Sequence, residues 1–181
     1  MKKEIIKKIT IPEGVSIKIQ GNEILAKSGS REAKRKVVIP GNVEVKISNN
    51  EIEVIAKNAS RRESKIIGTI VAHIKNLIKG MSDDFVYKLE ICNVHFPMIV
   101  KVEGKIFTIK SFLGEVHDRK AQIVDNVKVD VKGNHVTVSS PDREAAGQTA
   151  ANIESSTKIT GRDRRVFQDG IYITEKPGRK I

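Results

Sequence analysis

The chain has 181 residues, is 39% hydrophobic with no tryptophan, and carries a formal net charge of +11. One cysteine, Cys92, excludes an internal disulfide framework. No apolar run approaches the roughly 20 residues of a spanning helix, and the excess of positive charge favours a polyanionic partner, nucleic acid ahead of an acidic membrane.

In chain order, the basic start Met1–Lys8 has no apolar stretch behind it and does not read as a secretory signal. Residues 5–11, 15–26, 37–39, 43–47 and 52–55 read as short strands rich in β-branched residues. They are broken at Pro12, Gly14, Gly21-Asn22, Pro40-Gly41 and Asn49-Asn50. Val43, Val45 and Ile47 alternate with Glu44 and Lys46, as in an antiparallel sheet with one wet face. Ile66, Ile67, Ile70, Val71, Ile74, Leu77 and Ile78 then follow the spacing of an amphipathic helix. Ser60 and Glu63 are placed for a capping box and Gly80 for a stop. Residues 80–84 read as a short linker.

The second half repeats the plan. Strands are expected at 86–92, 98–102, 107–110, 122–124, 127–131 and 136–139, and a helix from about Asp142 to Ser156 with Ser140 as cap and Pro141 in its first turn. Its core face, Ala146, Ala150 and Ile153, is small, which predicts a closer helix–sheet approach or a neighbour covering it. The likeness is direct in places. S-K-I-I-G-T-I-V-A-H-I (64–74) and R-E-A-A-G-Q-T-A-A-N-I (143–153) share G-x-x-[VA]-A-x-I, and 43–47 resembles 127–131. Strands before helix in each half argue α+β with antiparallel sheets. The expected organisation is two tandem similar α+β domains, 1–82 and 83–157, each an antiparallel sheet against one main helix, followed by a basic tail, 158–181.

Charge is divided unevenly along that plan. Residues 1–82 hold 17 Lys and Arg against 8 Asp and Glu, residues 83–157 hold 9 against 11, and residues 158–181 hold 7 against 3. Enzyme motifs are missing: there is no phosphate-binding glycine loop, no G-x-G-x-x-G and no H-E-x-x-H. Cys92 and His95 form C-x-x-H without further ligands, which suits a strand cysteine and a loop histidine better than zinc. His117-Asp118 lacks a nucleophile beside it and reads as a polar loop. No cofactor or small-molecule substrate is implied. The segment Lys27–Lys36, with five cations, reads as a basic loop.

The tail says more. Thr160–Thr174 sets Arg162, Arg164 and Arg165 among Phe167 and Tyr172, between Gly161 and Gly170. A guanidinium bonds phosphate through two N–H groups, an aromatic ring offers a face to an unpaired base, and glycine lets backbone N–H groups approach phosphate. Lys176, Arg179 and Lys180 add a cationic end, which composition suggests is disordered beyond Thr174 without RNA.

G-R-D-R-R-V-F-Q-D-G-I-Y-I (161–173) resembles the C-terminal signature of the L-six family of large-ribosomal-subunit proteins, in the branch shared by archaea and eukaryotes. L-E-I-C-N-V-H-F-P-M (89–98) and S-F-L-G-E (111–115) resemble the opening of that family's second domain. The bacterial Pro-Glu-Pro-Tyr-Lys-Gly-Lys-Gly-type ending is absent. The resemblance spans nearly the whole chain. It implies a non-enzymatic, cytoplasmic ribosomal protein, one copy per ribosome, beside neighbouring large-subunit proteins. Its C-terminal domain and tail would bind 23S-type rRNA near the sarcin–ricin loop, next to the site where translation factors dock. Carried to this sequence, the contacts expected are Gly161, Arg162, Arg164, Arg165, Phe167, Gln168, Tyr172 and Lys176, with Arg179 and Lys180 behind them and Arg119 and Lys120 as secondary candidates. Lys34–Lys36 are weaker ones, and the first domain should face outward or toward proteins. The rival readings are a nucleic-acid-binding module outside the ribosome and, more distantly, a nuclease built on His117 and Asp118.

Overall fold

The computed structural model describes residues 3–181 apart from Ser30 and Asn49. The expected turn at Asn49 and the centre of the Lys27–Lys36 segment at Ser30 therefore lie outside the described residues. The chain divides into two units, 1–83 and 84–181.

In the first unit the strands are β1 (Lys3–Thr10), β2 (Ser16–Gln20), β3 (Glu23–Ser28), β4 (Arg31–Lys36), β5 (Val43–Ser48) and β6 (Glu51–Ala59), followed by helix α1 (Arg61–Ser82). They form two antiparallel three-stranded sheets, ordered β1-β6-β5 and β2-β3-β4. α1 lays Ile67, Ile70, Ile74, Leu77 and Met81 onto a core with Ile24, Ile52 and Val54. Each such aliphatic side chain removed from water contributes roughly 1.5–3 kcal/mol, so this face fixes the helix. Ser60 and Glu63 form the expected capping box, with the Ser60 N–H donating to Glu63 Oε2 at 2.5 Å.

Two boundaries differ from the sequence reading. α1 does not stop at Gly80. It runs on to Ser82 because Met81 still has core to enter, and the Asp83 N–H closes it by donating to Lys79 O. Residues 80–82 of the supposed linker are thus helix. The basic segment Lys27–Lys36 is a hairpin, not a loop: β4 pairs with β3, while residues 37–39 are not a strand. Ala33 alone in β4 is both apolar and buried, so the strand has almost no hydrophobic alternation to betray it. Val37 carried the apolar signal, and it is buried with its N–H donating to Asn22 O, without belonging to a ladder.

The second unit contains β7 (Phe85–Cys92), β8 (Ile99–Glu103), β9 (Ile106–Lys110), a 3-10 turn (Phe112–Gly114), β10 (Arg119–Gln122), β11 (Lys128–Lys132) and β12 (His135–Ser140). Helix α2 (Arg143–Ser156), β13 (Gly170–Lys176) and β14 (Arg179–Lys180) complete it. Its sheets are β10-β9-β8 and β11-β12-β7-β13-β14, again antiparallel. The boundary shift recurs at the equivalent place. β10 is 119–122 rather than 122–124, its one apolar inward residue is Ala121, and Ile123 is buried just beyond it.

α2 begins at Arg143, and its cap lies two residues later than expected. Asp142, not Ser140, is the cap, accepting from the Glu144 N–H at 2.9 Å, and Pro141 precedes the helix. Ser140 instead accepts from the Asp142 N–H and donates to Asn126 O. The predicted close approach is present: Ala146, Thr149, Ala150 and Ile153 are fully buried, and a Cβ on Gly147 would lie 2.9 Å from Tyr87 Oη.

The tail is not disordered beyond Thr174. β13 joins the sheet beside β7, placing Ile171 opposite Ile91 and Ile173 opposite Leu89, and turns at Gly178 (φ +79) into β14. Ile171 is wholly buried, so the segment beyond residue 157 completes the core of the second unit.

Candidate nucleic-acid interface

Between α2 and β13 the chain makes an exposed loop, 157–169, whose shape follows from two aspartates. Asp163 builds the turn: its backbone carbonyl accepts from Val166 and Phe167 N–H, and Oδ1 accepts from Arg165 N–H at 2.9 Å. The same carboxylate pairs with the Arg165 guanidinium at 3.0 Å, which holds the Asp163 carboxyl below its ordinary range. Both partners are well exposed, so this pair adds little stability and does not withdraw Arg165 from solvent. Gly161 adopts φ +73, the left-handed turn that glycine was expected to supply.

Asp169 anchors the other end. It is 1% exposed, and its carboxylate accepts from Val94 N–H (2.8 Å), His95 N–H (2.9 Å) and His95 Nδ1 (2.6 Å). Burial pushes this carboxyl up, but the bonds from His95 and Val94 outweigh it and hold the group below its usual value. The clasp ties loop 93–97, after β7, to loop 157–169. His95 stacks on Phe167 with ring centroids 5.0 Å apart, and the Arg162 guanidinium lies 4.9 Å from the centre of that ring. Phe167 is half-buried against the core, so its ring supports Arg162 more than it offers an open face to bases.

A third loop joins them. Ser111 (φ 58) and Leu113 (φ 49) adopt left-handed backbone, which turns Phe112 and Leu113 into the core. Arg119 sits over Phe112, 4.2 Å from the ring centre, and grips Glu115 with two bonds of 2.7 and 2.6 Å. Its remaining terminal nitrogen donates to Ser156 O (2.9 Å) and Lys158 O (3.0 Å). A cation on the last carbonyls of α2 meets the negative end of the helix dipole. The hydrogen-bonded Arg119 lowers the Glu115 carboxyl, and Arg162 adds to this from across the loops.

The expected contact residues therefore separate into groups. Gly161, Arg162, Arg164, Arg165, Phe167, Gln168 and Tyr172 lie together on or beside the arginine loop. Gln168 donates to Arg165 O, and Tyr172 Oη donates to Gln168 O and Asp169 O. Gly170 does not turn the chain as expected. It lies beneath the Tyr172 ring, 2.9 Å from where its Cβ would be. Lys176, Arg179 and Lys180 occupy the far end of the β13–β14 hairpin, about 20 Å along a strand of that length. Arg119 is engaged inside the unit, and Lys120 is exposed on β10. From sequence, His95 reads as a plain loop histidine and Asp169 is given no role. The signal was the bare F-Q-D-G, because a partner 74 residues away leaves no spacing to read.

The remaining polar candidates form no reaction centre. Burial raises the Cys92 thiol, with Glu90 and Asp169 adding to the shift. His117 is exposed and Asp118 pairs with Lys110 at 3.6 Å. Among the described residues no cluster of His, Cys, Asp or Glu is arranged to hold a metal ion, and no helix is long and apolar enough to cross a membrane.

Comparison with known proteins agrees with this architecture. A family model described as "Ribosomal protein L6" matches residues 11–84 and again 96–170, one match in each unit. The chain is 45% identical over 177 residues to the large ribosomal subunit protein uL6 of Methanococcus vannielii, covering 98% of this chain and 97% of that one. It is 47% identical over 174 residues to uL6 of Methanosphaera stadtmanae (96% and 94% covered) and 44% over 176 residues to uL6 of Methanosarcina mazei (97% and 99%).

Proposed function

Because the chain belongs to the ribosomal protein L6 family, we propose that it binds large-subunit rRNA through the arginine loop and the β13–β14 hairpin of its second unit. It is a structural, non-enzymatic constituent of the large ribosomal subunit. The finer reading is contact with 23S-type rRNA near the sarcin–ricin loop, beside the translation-factor site. It acts there as a single copy among neighbouring ribosomal proteins of the cytoplasmic ribosome, and supports subunit assembly. One observation carries it. In a body that is otherwise nearly neutral, Arg162, Arg164 and Arg165 are exposed on a loop whose turn and anchor are fixed by Asp163 and Asp169. A pre-shaped loop loses little conformational freedom on binding, so each arginine–phosphate contact is retained as affinity.

The test is co-sedimentation with large subunits, together with rRNA binding over a salt series. Replacing Arg164 and Arg165 by alanine should weaken both and lower the slope of log affinity against log salt by about 2, near 1 per lost phosphate contact. An unchanged slope refutes the loop as the contact. Equal affinity for arbitrary duplex and single strand, without subunit co-sedimentation, would favour a general nucleic-acid binder. Deleting everything after Thr157 is the wrong probe. It removes β13 and Ile171 from the core and so tests folding.

A further inference from the structure

Between the last turn of α2 and the arginine loop lies an open cleft of about 220 Å3, lined by Glu154, Ser155, Lys158, Ile159, Arg164 and Tyr172 among others. Its parts differ in chemistry. The floor, at the C-terminal end of α2, holds the Glu154 carboxylate as its open acceptor; the last carbonyls of the helix are already taken by Ser156, Thr157, Lys158 and Arg119. Glu154 Oε1 accepts from the Ile173 N–H at 3.1 Å, which leaves Oε2 and a second lone pair on Oε1 for further donors. An anion on this floor would meet like charge, whereas N–H donors are matched. The rim is the opposite, with Lys158 and Arg164 both exposed cations. One wall is the half-buried Tyr172 ring, pinned by its hydroxyl to Gln168 O and Asp169 O. Burial raises that hydroxyl's pKa, Arg164 opposing, so it stays a donor. Ile159 supplies apolar surface.

The geometry points to a seat for one unpaired RNA nucleotide: its base against Tyr172 and Ile159, its N–H edge on Glu154, and its phosphate at Lys158 and Arg164. An aromatic wall, a carboxylate on the floor and a cationic rim are the three surfaces an unstacked nucleotide presents its own counterparts to. Guanine fits the floor best. Its N1–H and N2–H2 are adjacent donors that a carboxylate receives together, while adenine, cytosine and uracil each set an acceptor beside their donor. The RNA partner therefore offers this cleft a guanine free of pairing, in a loop, bulge or junction. The inference rests on the rRNA-binding reading and narrows it from phosphate attraction to recognition of one base.

The test uses the full-length isotope-labelled chain titrated separately with GMP, AMP, CMP and UMP, following the amides of Lys158, Tyr172 and Ile173. GMP should shift these amides with affinity about tenfold above the other three, the discrimination of a bidentate base contact. Glu154→Gln should abolish that preference while keeping an oxygen for the Ile173 N–H, and Arg164→Ala should weaken all four nucleotides alike. Tyr172→Leu, which removes the wall without touching Glu154, is the second variant and should weaken every nucleotide. Equal affinity for the four, or shifts mapping away from the cleft, overturns the proposal. So does wild-type rRNA affinity in Glu154→Gln while the Arg164/Arg165 double variant still loses binding, which leaves the arginine loop standing without the base seat. Loss of neither binding would defeat the rRNA reading itself.

Discussion

Asp169 is the point at which the candidate interface can be dismantled with least disturbance elsewhere. Its carboxylate receives three hydrogen bonds and is 1% exposed. Asp169→Ala leaves the Val94 and His95 N–H groups without an acceptor in a partly buried site. Each such orphan costs about 1–3 kcal/mol if water cannot reach it. The carboxylate is buried, but Val94 is 72% exposed and the His95 side chain 33%, so water offsets part of this loss and a total near ~2 kcal/mol is expected. Asp169→Asn keeps an oxygen for both N–H groups and loses only the charge, so about 1–2 kcal/mol is expected. Urea unfolding measures the total, and amide exchange at Val94 and His95 shows whether the loss is local. pH supplies an independent check. Because the folded carboxyl titrates below its ordinary value, its stabilisation is fully present above the unfolded pKa of about 3.9. It is lost as pH falls through that value toward the folded one. Wild type should therefore lose stability more steeply than Asp169→Asn below about pH 4. If Asp169→Ala costs under about 0.5 kcal/mol, or exchange at Val94 and His95 is unchanged, the clasp does not hold the loop.

The other predictions concern the frame. Gly147→Ala should destabilise by about 1–2 kcal/mol, because a Cβ 2.9 Å from Tyr87 Oη forces the packing apart. Gly68→Ala, with nothing within 4 Å, should stabilise by about 0.5–1 kcal/mol, and thermal melts of the two variants should move in opposite directions. Arg119→Ala should cost about 2–3 kcal/mol, since one guanidinium serves Glu115, the end of α2 and Phe112. Arg119→Lys should not rescue it, because an ammonium cannot fork to those partners; rescue by lysine in urea melts would refute the structural role. Glu63 should titrate at about 2 by NMR, held down by Ser60 and then Asn42. Its helix-capping stabilisation is present above the unfolded carboxylate value and fades as pH falls toward 2, a dependence that Glu63→Gln removes.

The elements easiest to read were those with strong periodicity. α1 has an isoleucine stripe and a capping box within its own sequence, so both its face and its start were legible. β4 and β10 were not, because each shows the core a lone alanine and otherwise bears charged or polar side chains. Their buried apolar neighbours Val37 and Ile123 draw the assignment downstream, to 37–39 and 122–124, and a displacement in the same direction in both copies follows from the duplication itself. At the interface, the arginines and Gly161 were legible because their chemistry is intrinsic to residue type. His95, Asp169 and the internal engagement of Arg119 were not. Those roles arise from contacts between loops 37 to 74 residues apart, which no local pattern encodes. The order of the tail beyond Thr174 is not legible for a related reason: its basic composition reads as solvation, whereas Glu175 and Lys176 pair with Lys180 and Arg179 across the β13–β14 turn.

The two copies also explain why the tail sits where it does. Through the matched pairs Ile52–Ile9 and Val136–Leu89, and Val54–Lys7 and Val138–Tyr87, Lys7 of β1 occupies the position that Tyr87 holds in β7. Tyr87 is buried and reaches Gly147, so that glycine is needed for clearance. With lysine there instead, Gly68 has nothing to clear, and the shared glycine keeps its place in the motif without its packing reason. The same exchange acts on the strand edge. β7 presents Leu89 and Ile91 toward the core and accepts β13 alongside them. β1 sets the exposed Lys7 between Ile5 and Ile9 on the core-facing side, and among the described residues its outer edge has no strand beside it. A charge on the inward side of an edge strand discourages a further strand from docking, since that strand would have to cover it. One lysine-for-tyrosine difference thus accounts for a helix glycine with open space around it and for an edge left closed to addition, while the copy with tyrosine carries the strand that leads out of the arginine loop.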